Sequence, residues 1–530
     1  MDLKSNEAEH PLNFTKMFRT FLSLLLLTNV LFAQSQPDIE WQRNLGGSLD
    51  DIAASIQQTS DGGYILCGTT YSNNGDVSGH HGNEDIWIVK LDLEGEIVWQ
   101  RCLGGSQGEN GDQILELTDG GYLVLGGTSS NDGDVTGNYG MIDFWLARLD
   151  SDGTLIWQHC FGGSLNDSPN DIKATPDGGF IIAGSSRSSD GDVTSNAGIT
   201  DYWVLKLDAD LDIEWQRSYG GTGVDEVFAI ALTSDGGYIL NGFTSSNDGD
   251  VSGAFGMEDY WVVKLNAVGN IQWQRPCGGS SSDFSRGVME LSDGSFMATG
   301  SSLSTDGDIT DPLGSWDSWS IRLSALGQLL EDISNGGPNS DGGVGVVEAG
   351  DGGMIFCGSS SSNDGDVPNN QGGSDAWLFR RDMNGSILWT IALGGSQSDS
   401  FWKMSPTNDG GYITIGQSSS SNGDLTGNYG FTDIWVVKFG ADPVGMVEIS
   451  DRSFIDIYPN PTRDWLHFSS LCPDGDTSKW ELLDARGRVV ITGILSDPSA
   501  QINVEVLPPG TYSLFVECGK HRFAAPFVKQ

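Results

Sequence analysis

The sequence predicts an all-β protein, a seven-bladed β-propeller followed by a small Ig-like β-sandwich. Three observations carry this prediction. An Asp-Gly pair recurs seven times, from Asp61 to Asp409, at a constant step of 58 residues, and a Trp recurs at the same step from Trp87 to Trp435. Each unit also contains four short strand-like segments separated by Gly-rich turns. Four strands in about 50 residues are typical of a propeller blade rather than of a solenoid repeat.

The strands of a unit follow from residue type and turn chemistry. In the first unit we predict strands over residues 52–59, 64–71, 85–92 and 97–102, because β-branched and aromatic residues fill these segments. The Asp61-Gly62-Gly63 sequence between the first two is a tight hairpin turn, in which Gly accepts the positive φ. The third segment is apolar at successive positions, which indicates a sheet covered on both faces.

The two ends of the repeat region are predicted to share one blade. The seventh unit stops after its third strand, near Gly440, whereas residues 39–43 (Ile-Glu-Trp-Gln-Arg) form a fourth-strand sequence with no unit of their own. Pairing these two ends supplies seven copies of every strand and removes sheet edges that would otherwise invite aggregation. We therefore expect residues 38–440 to form a closed seven-bladed propeller.

Residues 1–33 are predicted to be a leader and signal peptide. An apolar run over residues 21–32 follows Lys16 and Arg19 and precedes Ala33, which is the pattern of a secretory signal. The run is too short to span a bilayer as a mature helix, and Met17 is an alternative start. Since no second run of spanning length occurs, no transmembrane segment is expected in the mature chain.

The charge balance excludes one class of partner and disfavours another. The chain has 72 Asp and Glu against 27 Lys and Arg, for a formal net charge of −45. Such a chain will not bind nucleic acid by neutralising phosphates, and it is poorly suited to an anionic membrane surface. The extracellular ligand is expected to be a glycan or a protein, and the sequence does not identify it.

The loop between the second and third strands of each unit is the most distinctive recurrent feature. Its Asp residues fall in three columns, within a Gly-containing segment that runs over residues 131–143 in the second unit. Calcium prefers carboxylates and carbonyls supplied by a bent loop of this kind. The candidate calcium ligands are Asp76, Asp85, Asp132, Asp134, Asp143, Asp190, Asp192, Asp201, Asp248, Asp250, Asp259, Asp306, Asp308, Asp317, Asp364, Asp366, Asp375, Asp424 and Asp433. The same residues can instead form metal-free turns between side chain and backbone, so both interpretations stay open.

Three further columns have structural interpretations. The Trp column is expected to pack between blades. A basic column that begins at Lys90 lies five residues after the last loop Asp, on the opposite strand face, so any pairing between these two columns would join neighbouring units. An acidic column that begins at Asp51 either rings a channel mouth or holds the turn at the start of a strand, and we favour the turn.

Catalytic signatures are absent or weak. No Gly-x-Ser-x-Gly elbow, His-Glu-x-x-His helix or phosphate-binding loop occurs. Catalysis on a symmetric propeller requires unlike groups placed together, and the pattern is broken by Arg187, Arg286, Trp316 and the pair Trp402-Lys403. An exposed aromatic residue among them would suit stacking on a sugar, and core packing is the other interpretation.

The seven Cys residues do not form a disulfide framework. Cys67 and Cys357 occupy the same strand column in different units, too far apart to be bridged, and they are expected to be buried as small apolar residues. Cys472 and Cys518 lie in the C-terminal region, and whether they form a disulfide stays open.

The C-terminal region follows a linker predicted over residues 441–453. Strands are predicted over residues 465–469, 480–484, 489–492, 502–506 and 512–517, which indicates a small antiparallel sandwich over 454–530. This region also contains Tyr-Pro-Asn-Pro at 458–461, Asp-Ala-Arg-Gly-Arg-Val-Val at 484–490, Leu-Pro-Pro-Gly-Thr-Tyr at 507–512 and the terminal Lys529. In this order, these motifs resemble the C-terminal sorting domain of the type IX secretion system of Bacteroidetes, although Gln530 follows the basic residue.

The resemblance implies an export route. Proteins with this domain cross the inner membrane by their signal peptide, engage the type IX machinery through the sorting domain, and are secreted or attached to the cell surface. Two functions then remain for the propeller. The regular repeat favours a secreted or cell-surface binding protein without enzymatic activity, stabilised by calcium if the loops bind it. The alternative is a carbohydrate-active enzyme, a lyase or glycosidase, acting at the mouth of the propeller channel.

Overall fold

The computed structural model describes residues 36–425, 427–442, 455–458, 461–470, 478–484, 488–495, 499–518 and 521–529. The chain divides into two compact units, residues 1–442 and 443–530. The leader and signal peptide, most of the linker and the pairing of Cys472 with Cys518 lie outside the described residues and stay predictions.

The first unit contains seven antiparallel sheets of four strands. The first strands of the sheets are β2 (Asp51–Gln58), β6 (Glu109–Glu116), β10 (Asp167–Ala174), β14 (Asp225–Leu232), β18 (Asp283–Glu290), β22 (Asp341–Glu348) and β26 (Asp399–Pro406). The second strands are β3 (Tyr64–Thr70), β7 (Tyr122–Thr128), β11 (Phe180–Ser186), β15 (Tyr238–Thr244), β19 (Phe296–Ser302), β23 (Met354–Ser360) and β27 (Tyr412–Ser418).

The remaining two strands of each sheet lie towards the outside. The third strands are β4 (Asp85–Leu91), β8 (Asp143–Leu149), β12 (Asp201–Leu207), β16 (Asp259–Leu265), β20 (Asp317–Leu323), β24 (Asp375–Arg381) and β28 (Asp433–Phe439). The outer strands are β1 (Ile39–Leu45), β5 (Ile97–Leu103), β9 (Leu155–Phe161), β13 (Ile213–Tyr219), β17 (Ile271–Cys277), β21 (Leu329–Asn335) and β25 (Ile387–Leu393). Blades 1 to 7 are numbered by their first strands, so β2 begins blade 1 and β26 begins blade 7.

The propeller closes as the sequence predicts. Each first strand contacts the first strand of the next blade, and β26 contacts β2, so these seven inner strands form a ring. The N-terminal strand β1 pairs antiparallel with β28, with Arg43 opposite Val436 and Leu45 opposite Ile434. It completes blade 7 at its outer position, and the predicted sharing of one blade by the two chain ends is confirmed.

Buried aromatic residues hold the blades together. All seven Trp residues of the 58-residue column are fully buried. Trp145 of blade 2 packs in one cluster with Ile65 and Cys67 of blade 1, which confirms that the column packs between blades. The described cysteines are likewise buried and free, as predicted: Cys67, Cys102, Cys160, Cys277 and Cys357.

The inner strands expose side chains to the central channel. Each contains a register shift between its third and fifth residues, such as Ala53 and Ser55 in β2, so its fourth residue is a bulge. A bulge re-aims a side chain away from the regular alternation of a strand. The second and fourth residues of these strands stay partly exposed, and they line the channel.

The second unit is a small β domain of two sheets. Its strands are β29 (Ile455–Tyr458), β30 (Trp465–Ser470), β31 (Ser478–Asp484), β32 (Val489–Leu495), β33 (Ser499–Asn503), β34 (Gly510–Cys518) and β35 (His521–Lys529). The sheets have the strand orders β29-β30-β33 and β32-β31-β34-β35, and residues such as Phe468 and Leu514 form their common core. The strand predicted over 502–506 is wrong in its bounds, because the chain turns at Val504, whose carbonyl accepts the Leu507 N–H.

Candidate functional site

The first two Asp columns of the loops hold the turn that connects the preceding blade to their own blade. Asp132 Oδ1 accepts the Ser106 backbone N–H at 2.7 Å, and Asp134 Oδ2 lies 3.3 Å from the Gly104 nitrogen. Asp190, Asp248 and Asp306 repeat the first contact, and Asp76, Asp192, Asp250, Asp366 and Asp424 repeat the second. Asp364 lacks the first contact because its blade has Pro338, which has no N–H, at the donor position. These are hydrogen bonds between side chain and backbone, of the kind that the turn interpretation expects.

The last Asp column is placed differently. Each of these carboxylates is buried, and the one at Asp143 accepts the Tyr139 backbone N–H through Oδ2 at 2.6 Å. The other oxygen, Oδ1, is buried and has no hydrogen-bond partner within the described part of the chain. This holds in all seven blades, at Asp85, Asp143, Asp201, Asp259, Asp317, Asp375 and Asp433.

The partnerless oxygens face carboxylates of the next blade. An ideal Cβ on Gly162 would lie 2.4 Å from Asp143 Oδ1 and 2.9 Å from Asp167 Oδ2, so both carboxylates contact one glycine that tolerates no side chain. We call two such carboxylates a junction pair. The junction pairs are Asp85 and Glu109, Asp143 and Asp167, Asp201 and Asp225, Asp259 and Asp283, Asp317 and Asp341, Asp375 and Asp399, and Asp433 and Asp51.

The second member of each junction pair holds a turn, as favoured from the sequence. Asp51 is fully buried and accepts the Gly47 N–H at 2.7 Å and the Ser72 hydroxyl at 3.0 Å, besides the Thr70 hydroxyl. This acidic column therefore does not ring the channel. Burial raises the pKa of Asp51 while these hydrogen bonds lower it, so the donors offset part of the cost of burying this carboxylate beside a second one.

Burial raises the pKa of six first members and makes them hard to ionise: Asp143, Asp201, Asp259, Asp317, Asp375 and Asp433. It raises the pKa of Asp143 and Asp433 to about 7 and of Asp201 and Asp375 to about 6, and the second carboxylate of each pair acts in the same direction. A junction pair whose first member has a raised pKa is therefore an acceptor for one positive charge, either a proton or a cation. No group of three or more His, Cys, Asp or Glu side chains in the described ranges is arranged to hold a metal ion. A cation at a junction would therefore be bound by two carboxylates and backbone oxygens.

The basic column pairs within its own blade. Lys90 Nζ lies 3.0 Å from Asp61 Oδ2 of the hairpin turn, and the other six units repeat this contact. Hydrogen bonds from Thr175 and then Lys206 lower the pKa of Asp177, a hairpin Asp, to about 2. The basic column therefore pairs with the hairpin Asp of its own sheet rather than with the last Asp column, and Arg380 also pairs with Asp442, which follows blade 7.

Unlike groups meet at one mouth of the channel, where the inner strands begin. The second and fourth residues of the inner strands are Glu226 and Phe228 in blade 4 and Phe284 and Arg286 in blade 5, whereas blade 1 has Ile52 and Ala54 there. Trp316 lies just before β20 of blade 5 and is the symmetry-breaking Trp of the sequence. We call Glu226, Phe228, Phe284, Arg286 and Trp316 the mouth cluster.

The mouth cluster is a connected aromatic and charged surface. Trp316 stacks on Phe284 with ring centroids 5.6 Å apart and an interplanar angle of 24°. The Arg286 guanidinium lies 4.2 Å from the centroid of the Phe228 ring, a cation–π contact. Burial raises the pKa of the Glu226 carboxyl, while the charges of Arg187 and Arg286 oppose that shift. The structure thus brings Arg187, Arg286 and Trp316 to one region.

Two cavities open beside the mouth cluster. The larger, of about 300 Å³, lies between blades 5 and 6, where Phe284, Arg286 and Trp316 face Gly342 and a set of hydroxyls. The hydroxyls belong to Ser301, Ser340, Ser359, Ser361 and Ser374. The smaller, of about 160 Å³, lies on the other side of Glu226 and Phe228 and includes Arg187 and Thr200. The larger cavity exists because blade 6 has Gly342 at the position where blade 5 has Phe284.

Lys403 and Trp402 lie apart from the mouth cluster, on the inner strand of blade 7. The Lys403 ammonium interacts with Asp171 and Asp112, and burial lowers its pKa. Burial also raises the pKa of Asp112 to about 8, against the charge of Lys403. Asp171 accepts a hydrogen bond from Gln113 at 2.9 Å, and the Lys173 Nζ lies 2.7 Å from it. These groups form a second set of unlike charges, inside the channel.

Exposed apolar residues of the long loops were missed by the sequence reasoning. They flank a recurrent Gly on the mouth face and are 59–69% exposed in blades 2, 4 and 7. The residues are Tyr139, Met141, Phe255, Met257, Tyr429 and Phe431. Their recurrence on both sides of Gly140, Gly256 and Gly430 was a usable signal. Large exposed apolar side chains grouped on one face are typical of an interaction surface.

Comparison with known proteins identifies the C-terminal unit. Residues 456–530 match the model of the secretion system C-terminal sorting domain. Over 221 residues, which is 40% of this chain, the protein is 27% identical to the regulatory protein FlaEY of Caulobacter vibrioides. The chain spans only 22% of that relative's length.

Solved structures show distant likeness. PorZ, a surface component of the type IX secretion system of Porphyromonas gingivalis, aligns over 93% of this chain and 75% of its own, with 11% identity and a TM-score of 0.31. Sqt1 from Chaetomium thermophilum aligns over 77% of this chain and 100% of its own, with 12% identity and a TM-score of 0.38.

Secretion or attachment at the cell surface follows from the sorting domain, which engages the type IX machinery. No helix in the described ranges is long and apolar enough to cross a membrane. The chain is a type IX secretion substrate that joins a β-propeller-like repeat region to a C-terminal sorting domain.

Proposed function

We propose that this protein is an extracellular binding protein that holds its ligand at the channel mouth of the propeller. The mouth cluster is the observation that carries the proposal. Trp316 is the one aromatic residue among the seven equivalent blade positions, and only blades 4 and 5 combine an aromatic and a charged residue at the second and fourth, channel-lining positions of their inner strands. A binding site, like a catalytic site, combines chemically different side chains in one place. In this chain such a combination occurs where the sequence of a blade departs from the repeat.

The exposed loop residues support the same face as the binding face. Tyr139, Phe255 and Tyr429 lie in loops that begin where the second strands end, at the same end of the blades as the mouth. They would contact a ligand that extends beyond the cavity. Aromatic residues are enriched at recognition surfaces because they bury a large area at little conformational cost.

The test is a binding screen with the mature chain, against a glycan array and against surface proteins of cells. We expect binding that the double variant R286A/W316A abolishes while its thermal unfolding stays cooperative. Retention of all binding by this variant would contradict the proposal. The matched control is R101A/W99A, which removes an Arg and a Trp in cation–π contact on the outer strand of blade 1, where Cζ lies 5.8 Å from the ring centroid.

We further propose that calcium stabilises the propeller at the blade junctions. The support is the seven-fold repetition of a buried Oδ1 without a partner beside a second carboxylate. Calcium accepts carboxylates together with backbone carbonyls, and a bound cation offsets the cost of burying two acidic groups together. Among the candidate ligands, those of the last Asp column would carry the site, and those of the first two columns would hold the turns.

Thermal unfolding with added calcium and with a chelator tests the calcium proposal. We expect a higher midpoint with calcium and a midpoint that depends on its concentration, since a ligand of the native state stabilises by mass action. An equal midpoint in millimolar calcium and in chelator would refute it. Magnesium, which prefers octahedral sites with several waters, is the control and should have a smaller effect.

A carbohydrate-active enzyme is the second candidate function, supported by the charges inside the channel. Asp112, whose pKa is raised to about 8, and Asp171, whose pKa is lowered in spite of burial by Lys173 and Lys403, are carboxylates whose environments favour opposite protonation states. Such a difference is what general acid and base roles require. A reducing-sugar assay on polysaccharides tests this candidate, with D112N expected to abolish turnover. Absence of turnover on every polysaccharide that the protein binds would exclude it.

A further inference from the structure

We infer that the cavity between blades 5 and 6 binds a neutral sugar ring of a glycan. This inference rests on the proposed function, since it names the ligand class of the mouth. It depends on the shape of the cavity, on the atoms that line it and on the charge around it.

The aromatic wall provides a stacking platform. Phe284 and Trp316 are stacked on each other and half-buried, so part of their surface faces the cavity. Phe243 meets Phe284 edge-on at 5.1 Å and fixes its ring. The Asp341 N–H donates to the Trp316 carbonyl at 2.7 Å, which anchors Trp316 at the junction of blades 5 and 6. A pyranose ring presents apolar C–H groups on one face, and a rigid aromatic surface of this kind complements them.

The opposite wall is rich in hydroxyls. Five serines and Gly342 line the cavity, so a ligand would meet short polar side chains with little bulk. A Ser hydroxyl is both donor and acceptor, and so is each hydroxyl of a sugar. The volume of about 300 Å³ suits one ring, at the lower end of the range of small-molecule sites.

Arg286 adds an unsatisfied set of donors. Its guanidinium contacts the Phe228 ring and neighbours Glu226, but no hydrogen bond or ion pair to Arg286 occurs in the described part of the chain. A guanidinium offers five N–H donors in a fixed plane. In this position it would donate to sugar oxygens at the rim of the cavity and set the orientation of the ring.

The charge of the chain favours a neutral sugar over an acidic one. The formal net charge is −45, and Asp341 lies at the cavity itself. A field of this sign repels polyanions such as polyuronates or sulfated glycans. One Arg cannot offset that repulsion for a chain of negative sugars, whereas a neutral glycan is unaffected.

Intrinsic Trp fluorescence of the full chain tests the inference. The probes are neutral manno-, cello-, malto- and galacto-oligosaccharides, with oligogalacturonate as the acidic comparison. We expect at least one neutral oligosaccharide to bind saturably and oligogalacturonate to bind more weakly. W316A should weaken binding by about tenfold or more, the ratio that corresponds to 1.4 kcal/mol. The outer-strand variant W99A should leave the affinity unchanged.

The outcomes separate this inference from the proposed function. If no neutral oligosaccharide binds, or if W316A and R286A bind the sugar as tightly as the parent, the sugar site is refuted. If the sugars fail while R286A/W316A abolishes binding to a surface protein, the proposed function stands and the ligand class is wrong. R286K separates charge from geometry: we expect it to lose affinity, because an ammonium does not reproduce the planar donor set.

Discussion

The blade junctions and the channel mouth follow opposite rules. At the junctions one arrangement of a glycine, two carboxylates and a buried Trp is repeated in nearly identical form around the ring, and it holds the blades. At the mouth, equivalent positions differ from blade to blade, and the differences gather in blades 4 to 6. The comparison teaches that repetition in this chain marks structure, whereas departure from the repeat marks the surface with the unlike groups that recognition needs.

The largest effect on stability is expected when one Trp at a blade junction is replaced by Ala, and one Trp at the channel mouth provides the comparison. Trp203 is fully buried between blades, so W203A should lower the free energy of unfolding by about 3–5 kcal/mol. Trp316 is half-buried, and W316A should cost only about 1 kcal/mol while removing ligand binding. Chemical denaturation and a binding assay on both variants check this. Equal loss of stability in the two would mean that Trp316 is a scaffold residue.

A second large effect is expected at the end of the propeller. Arg380 is fully buried and pairs with Asp442, which is 6% exposed, and with the more exposed Asp351. D442A leaves the buried guanidinium without its buried partner and should cost about 3–5 kcal/mol. D351A, the matched control on the same Arg, should cost about 1 kcal/mol or less. Denaturation midpoints of the two variants measure the difference, and a larger loss for D351A would overturn this assignment.

An intermediate effect is expected from filling one junction. A Cβ on Gly104 would lie 2.6 Å from Glu109 Oε2 and 2.8 Å from Asp85 Oδ1, so G104A should cost about 1–3 kcal/mol through crowding. The control is G350A, because nothing lies within 4 Å of a Cβ at that glycine. Thermal unfolding of both variants is the measurement. Unchanged stability of G104A would show that the carboxylates move apart freely, against the rigid junction described here.

The smallest effect concerns protonation, and its sign is determined by the raised pKa values. Asp143 and Asp433 have folded pKa values of about 7, above the ordinary 3.8. Their protonated form therefore stabilises the fold at low pH, and this stability is lost as pH rises through about 7. In chelator the midpoint temperature of unfolding should decrease as the pH is raised from 5 to 8. Calcium should make this decrease smaller, because it replaces the lost proton at the junction.

A single junction sharpens the pH prediction. In chelator at pH 8, D143N should raise stability by about 1 kcal/mol, because a neutral amide replaces a buried charge. In saturating calcium the same variant should lower stability, since one ligand is lost. The control D119N, at an exposed hairpin Asp, should show no such reversal. The same sign in both solutions would contradict calcium at this junction.

The sequence predicted the scaffold well because its determinants are local and repeated. The Asp-Gly turns, the Trp column and the unpaired 39–43 segment specify strand number, blade packing and closure without any knowledge of contacts. The loop carboxylates could be identified from the sequence as well, because they recur at the same 58-residue step. Their roles were not separable, because only the fold shows that Asp132 accepts a backbone N–H of the turn leading into its blade while Asp143 Oδ1 has no hydrogen-bond partner and faces a carboxylate of the next blade.

The mouth was only partly predictable. Arg187, Arg286 and Trp316 stood out as departures from the repeat, but their meeting point depends on which strand lies innermost and on the bulge in each inner strand. Glu226, Phe228 and Phe284 were missed because charged and aromatic residues in a strand are unremarkable until the strand is known to line a channel. The hairpin Asp was not foreseen as the partner of the basic column, because the reach of a long side chain decides which carboxylate a Lys meets.

Hydrogen–deuterium exchange of the full chain, with and without a ligand from the binding screen, tests the central claim most directly. Ligand-induced protection should be confined to the mouth face of blades 4 to 6, around residues 226–228, 284–286, 316 and 340–342. Equal protection in all seven blades, or protection restricted to the outer strands, would contradict the separation of a repeated scaffold from a binding mouth.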